Sequence, residues 1–179
     1  QKRVHIKNNN TYIQKSLPIY LNFSTEPNGK NYTLNSKVSK DYTNPMYLDT
    51  EGINYIRSKW AVDKNTKKAA SPQQEILFEI YADGLAPKTI SAFKNAPKYI
   101  SNKNYYGKGL VVDLNAKDYG SGLENIHFRL NSDDFKVFSS SLEMNKEGEI
   151  NLYYYSSDNV GNSERIKNKG FVVDLTPPT

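Results

Sequence analysis

Cysteine is missing from the chain altogether, tryptophan occurs once and histidine twice in 179 residues. Without cysteine there is no disulfide framework, no thiolate zinc site and no cysteine nucleophile. With His5 and His127 as the only imidazoles, a general base or a histidine-built metal centre has almost no supply of residues. Gly-x-Ser-x-Gly, phosphate-loop and His-Glu-x-x-His patterns are all lacking, and no stretch sustains a 3.6-residue period. No apolar run approaches the roughly 18 residues of a membrane-spanning helix, and mean hydropathy is -0.74. The chain is therefore expected not to be an enzyme and not to insert into a membrane through this segment.

What is present is aromatic and alternating. Fourteen tyrosines and 7 phenylalanines within a hydrophobic share of 37% supply enough apolar area to offset chain entropy. The net charge of +5 comes from 24 basic residues scattered among apolar positions. Scattered charge gives no nucleic-acid-binding block, so nucleic acid is not an expected partner.

The chain repeats itself with a period of about 93 residues. Tyr12, Lys15, Leu17, Leu21 and Asn22 recur as Tyr105, Lys108, Leu110, Leu114 and Asn115. Leu34-Asn35-Ser36 then recurs as Leu130-Asn131-Ser132, Lys40 as Lys136, Tyr42 as Phe138 and Glu51-Gly52 as Glu147-Gly148. Asp83-Gly84-Leu85-Ala86-Pro87 lines up with Asp174-Leu175-Thr176-Pro177-Pro178. The repeat predicts two domains, residues 1–87 and 88–179, joined by a proline-stiffened connection instead of a flexible spacer.

Within each copy the period is two, the signature of half-buried strands. Leu17, Ile19, Leu21 and Phe23 read as one strand, matched in the second copy by Leu110, Val112, Leu114 and Ala116. Ile126, Phe128 and Leu130 form another, then Ile150, Leu152 and Tyr154. Ile76, Phe78 and Ile80 close the first copy, and Phe171, Val173 and Leu175 the second. Trp60, alternating with Ile56 and Val62, reads as a core anchor. Turn residues separate the runs at Pro27-Asn28-Gly29, Tyr119-Gly120-Ser121-Gly122, Asn131-Ser132-Asp133-Asp134 and Asp158-Asn159-Val160-Gly161-Asn162. The fold class expected is all-β, two tandem β-sandwiches, the first copy divergent and the second regular.

The second copy, from Asp118-Tyr119-Gly120-Ser121-Gly122-Leu123 through Leu152-Tyr153-Tyr154-Tyr155 and Asp158-Asn159-Val160-Gly161-Asn162 to Leu175-Thr176-Pro177-Pro178, resembles the bacterial immunoglobulin-like repeats of large exported proteins. The nearest relatives by this resemblance are the repeats of leptospiral outer-membrane proteins, and more distantly the immunoglobulin-like C-terminal domains of chitobiase-type enzymes. The resemblance implies a non-catalytic structural or adhesive segment of a larger exported protein, at the cell surface, outer membrane or in the periplasm. It also implies neighbouring repeats of the same chain and a protein or glycan partner. An accessory carbohydrate-binding module of a glycoside hydrolase is the alternative. The absence of an initiator Met and the closing Thr176-Pro177-Pro178 lead to the expectation of a segment from a longer chain.

Candidate sites follow from residue type and place. Asp158, Gly161 and Asn162 read as a structural turn, Asp158 and Asn162 capping backbone amides and the glycine taking a positive φ. Asp113, Asp118, Asp158 and Asp174 offer oxygen ligands for calcium if they converge at one end of a sandwich; no other cofactor or metal is expected. Tyr153 and Tyr155 lie together on the face opposite Tyr154 and form either a packed cross-strand surface or a binding platform. His127, with Arg129 on the same face, falls on the outward side of another alternating strand and reads as a surface imidazole. Lys64, Lys67 and Lys68 lie in a longer loop of the first copy, a place where binding residues accumulate.

Overall fold

The computed structural model describes residues 1–34, 45–57, 65–66, 68 and 76–176. Trp60 and the repeat positions Asn35, Ser36, Lys40 and Tyr42 lie outside the described residues. Every regular element among the described residues is a strand. The chain divides into two compact units, residues 1–84 and 85–179.

In the first unit β1 (Val4–Lys7) and β2 (Asn10–Gln14) form a hairpin. Asn8 and Asn9 join them with φ of 50° and 63°, the pair of positive angles that a two-residue turn of the right twist demands. A two-stranded ribbon of β3 (Asn22–Phe23) and β4 (Tyr32–Thr33) follows. Then come β5 (Gly52–Arg57) and β6 (Ile76–Asp83). The main sheet runs β1-β2-β6-β5, with β2 parallel to β6 and the other neighbours antiparallel. Ile13 and Ala82, opposite one another in the parallel register, are both buried.

The single strand expected over residues 17–23 does not form. The amide of Leu17 turns back onto the Gln14 carbonyl, Ile19 makes only an isolated bridge to Met46, and pairing resumes at Asn22. Pro18 supplies the reason, since it has no amide hydrogen to give a ladder. Phe23, expected to face inward, is about half exposed at 49%.

The second unit contains β7 (Lys88–Lys94), β8 (Lys98–Ile100), β9 (Asn104–Tyr106), β10 (Val111–Lys117), β11 (Leu123–Leu130), β12 (Lys136–Val137), β13 (Leu142–Glu143), β14 (Gly148–Asp158) and β15 (Lys167–Val173). One sheet runs β13-β10-β7 and the other β12-β11-β14-β15-β9-β8. The two sheets enclose one core, giving this unit a sandwich-like, all-β architecture. Leu110, Val112 and Leu114 fill it from the smaller sheet, and Leu152, Tyr154, Phe171 and Val173 from the larger, with Tyr106 and Met144 completing it. These residues follow the two-residue alternation because each strand turns one face to the core. Phe93 on β7 stands edge-on to Phe171 at 5.0 Å and stacked on Tyr106 at 5.1 Å, fixing how the sheets meet.

The two units share a pairing scheme. In each, an antiparallel hairpin (β1-β2, β8-β9) lays its second strand parallel to the last strand of the unit (β6, β15). Tyr12 sits opposite Tyr81 and Tyr105 opposite Val172, so the repeated tyrosines occupy corresponding places. Asp83 closes its parallel ladder, paired with Gln14, and Asp174 directly follows its own, donating its amide to the Tyr106 carbonyl.

Candidate functional site

Two carboxylates organise the turns at one end of the second unit. Asp158, fully buried at the end of β14, accepts the amides of Val160 at 3.0 Å and Asn162 at 2.8 Å through Oδ1. Its Oδ2 accepts the side-chain amide of Asn162 at 2.7 Å. Gly161 takes a φ of 92°, and the Gly161 amide donates to the Asp158 carbonyl. Asn159 then donates from its side chain to the carbonyls of Ser121 and Gly122, binding this turn to the one after β10. There Asp118 Oδ2 accepts the amides of Gly120 and Gly122 at 3.0 and 2.8 Å, with Gly122 at a φ of 96°.

Of the four aspartates considered for calcium, Asp118 and Asp158 come together, each offering an oxygen within 4.8 Å of the other's. Asp113 does not join them: it lies within β10, bonded to Lys94 at 2.9 Å and to Ser141 at 3.4 Å. The Lys94 hydrogen bond holds the Asp113 carboxyl below its usual range. Asp174 is at the opposite end. Gly148 pairs with Val173, so the length of β14, about 33 Å at roughly 3.3 Å per residue, separates Asp174 from Asp158. Of the four, Asp118 and Asp158 therefore meet at one end of the sandwich, while the antiparallel register keeps Asp174 away from them. Calcium takes roughly 6–8 oxygens; Asp118 Oδ2 and Asp158 Oδ1 already hold backbone amides, and Asp158 Oδ2 holds the Asn162 side-chain amide.

A third carboxylate, absent from the sequence reading, fastens the two sheets together. Glu164 is almost buried, its side chain 9% exposed. Its Oε1 accepts the amides of Thr89 and Ser156, both at 3.1 Å, and the hydroxyls of both residues. Its Oε2 pairs with Lys167 at 2.6 Å. Lys167 Nζ also donates to the Thr89 carbonyl at 2.6 Å, and the Thr89 and Ser156 hydroxyl oxygens lie 2.8 Å apart. Burial by itself raises the carboxyl pKa; the hydrogen bonds from Lys167, Thr89 and Ser156 outweigh it and hold Glu164 below the usual range. Thr89 is on the smaller sheet, Ser156 and Lys167 on the larger.

The outer face of the larger sheet carries the aromatic residues. Tyr154 points into the core while Tyr153 and Tyr155 are half-buried on the opposite face. The register of β11 on β14 sets His127 opposite Tyr155 and Arg129 opposite Tyr153. The His127 ring stacks on Tyr155 at 4.8 Å and 15°. Phe135, in the turn between β11 and β12, stands edge-on to Tyr155 at 5.1 Å. The Arg129 guanidinium lies 4.4 Å from the Tyr153 ring and 5.2 Å from that of Phe135. Packing on this face is therefore extensive, and each tyrosine has one ring face covered.

Arg129 and Phe135 were missed as partners of the tyrosines because β12 and β13 separate β11 from β14 in the chain. Without a direct hairpin, no turn length fixes the register. Lys64 and Lys67 lie outside the described residues; Lys68 is exposed, its amide 3.4 Å from the Thr66 hydroxyl. Asp133 and Asp134 are exposed in the turn after β11. No protein-family model, curated protein or solved structure matches the chain.

Proposed function

We propose that the chain is a non-catalytic structural or adhesive segment, two immunoglobulin-like modules in tandem, of a larger exported bacterial surface or periplasmic protein. The observation that carries this reading is the pairing scheme common to both units, in which the second strand of an antiparallel hairpin lies parallel to the unit's last strand. The sequence repeat and the two-sheet core of the second unit support it independently.

The scheme also suits a segment held under tension. Force on the two ends peels β1 from β2 one pair at a time, because antiparallel hairpin bonds open in sequence from the free end. The parallel pairs β2-β6 and β9-β15 respond differently: the load pulls their strands in opposite directions along their length, so their hydrogen bonds share it. The carbohydrate-module alternative draws less support, since sugar stacking needs open ring faces and those of Tyr153 and Tyr155 are partly taken.

Stretching the chain between its ends in single-molecule force spectroscopy tests the reading. Two separate ruptures are expected, releasing 84 and 95 residues, or roughly 30 nm each at about 3.5 Å per residue. A single rupture, or release at forces no higher than those opening an isolated hairpin, would overturn it.

A further inference from the structure

We propose that the outer face of the six-stranded sheet, centred on Arg129, is a docking surface for an acidic, extended peptide segment of a protein partner. The proposal rests on the adhesive side of the reading above and supplies its recognition chemistry.

Charge complementarity carries the argument. Among the described residues the Arg129 side chain makes neither a hydrogen bond nor an ion pair, and its Nε lies buried with no acceptor. A guanidinium is always charged and offers five donors in a planar fork. Here the fork is held against Tyr153 and Phe135, so its orientation is set before any ligand arrives. A pre-oriented fork with unused donors fits a carboxylate, which accepts two parallel N–H bonds. His127, two residues along the same strand face, adds a second donor.

Two features select a peptide over an acidic sugar. One ring face of each tyrosine, a face on which a sugar could stack, is already covered by His127 or Arg129. Beside them runs β12, the edge strand of the sheet, with Val137 53% exposed. An edge strand presents main-chain groups to which an extended peptide adds.

The rival is intramolecular. Asp133, Asp134 and Glu143 line the same hollow as Arg129 and Lys136, of about 440 Å³, and a guanidinium that swung onto one of these carboxylates would leave no site. Both arrangements predict tighter binding of an acidic peptide by Asp133→Asn/Asp134→Asn, so the melting temperature separates them: it falls if Arg129 pairs with these aspartates in the free protein, and it does not fall if the fork is kept for a partner.

The test is an NMR titration of the full chain with hexaglutamate at low salt, following the Arg129 Nε–H signal and the rings of Tyr153 and Tyr155, with hexagalacturonate in a parallel arm. The expected result is a saturable shift with hexaglutamate that weakens about tenfold or more in Arg129→Gln. Arg129→Lys, which keeps the charge but loses the fork, should fail to restore it. Binding should tighten in Asp133→Asn/Asp134→Asn, a pair of exposed turn substitutions that leave the core untouched. No saturable shift, equal binding by Arg129→Gln, or tighter binding of hexagalacturonate would each overturn the proposal. None of these outcomes alters the two ruptures expected under force, so the two readings fail separately.

Discussion

Glu164 takes hydrogen bonds from Thr89 and Ser156 and an ion pair from Lys167, and these contacts favour its charged form. A carboxyl whose folded pKa is depressed contributes stability that is fully present above the unfolded value, about 4.3, and is lost as pH falls through the lower folded value. Glu164→Gln should cost about 1–3 kcal/mol near neutrality, because buried donors lose a charged acceptor. The gap between parent and variant in urea denaturation should then close as the buffer is taken from about pH 6 to about pH 3; a gap independent of pH would show that the carboxylate charge is not what holds the sheets. At the end of β14, two residues beyond Ser156, Asp158→Ala strips the acceptor from the amides of Val160 and Asn162 and should cost about 2–4 kcal/mol. Gly161→Ala, forced to a φ of 92°, should cost about 1–2 kcal/mol by the same measurement.

At the scale of the strand, alternation decides burial and burial decides sensitivity. Leu152, at the centre of β14 and fully buried, should cost about 2–5 kcal/mol when changed to Ala. Ile90 on β7 is 68% exposed, and Ile90→Ala should stay within about 0.5 kcal/mol. Equal losses at the two positions in chemical denaturation would mean that β7 faces the core differently from the register on β10. The alternations of β10, β11 and β14 were legible because each of these strands turns one face to a shared core. The run from Leu17 to Phe23 had the same alternation and did not become one strand, because the Pro18 ring removes the amide that a ladder needs. A side-chain period records which faces are apolar; whether the backbone can pair depends on amides that the period does not report.

At the scale of the molecule, each unit closes its own main sheet, and the second has a core drawn entirely from residues 85–179. Residues 85–179 produced alone should therefore fold, with a strand-type far-UV circular dichroism spectrum and one cooperative thermal transition. A non-cooperative melt of this piece, or a helical spectrum, would contradict a self-sufficient second unit.

The sequence by itself determined the strand character, the inward residues of β10, β11 and β14, the turn at Asp158 to Asn162 and the repeat that sets Tyr12 against Tyr105. Each of these is local: it depends on side-chain alternation, on backbone angles within a few residues, or on comparing one stretch with another. Only the tertiary structure decided the rest. It set Arg129 over Tyr153 across strands whose register no turn dictates, and brought Glu164 to Thr89 from 75 residues away. It also sent Asp174 to the opposite end of the sheet from Asp158, because neighbouring strands run antiparallel. Pairing partners and the ends at which residues meet are properties of the assembled sheet, in which a shift of one residue turns every side chain to the other face.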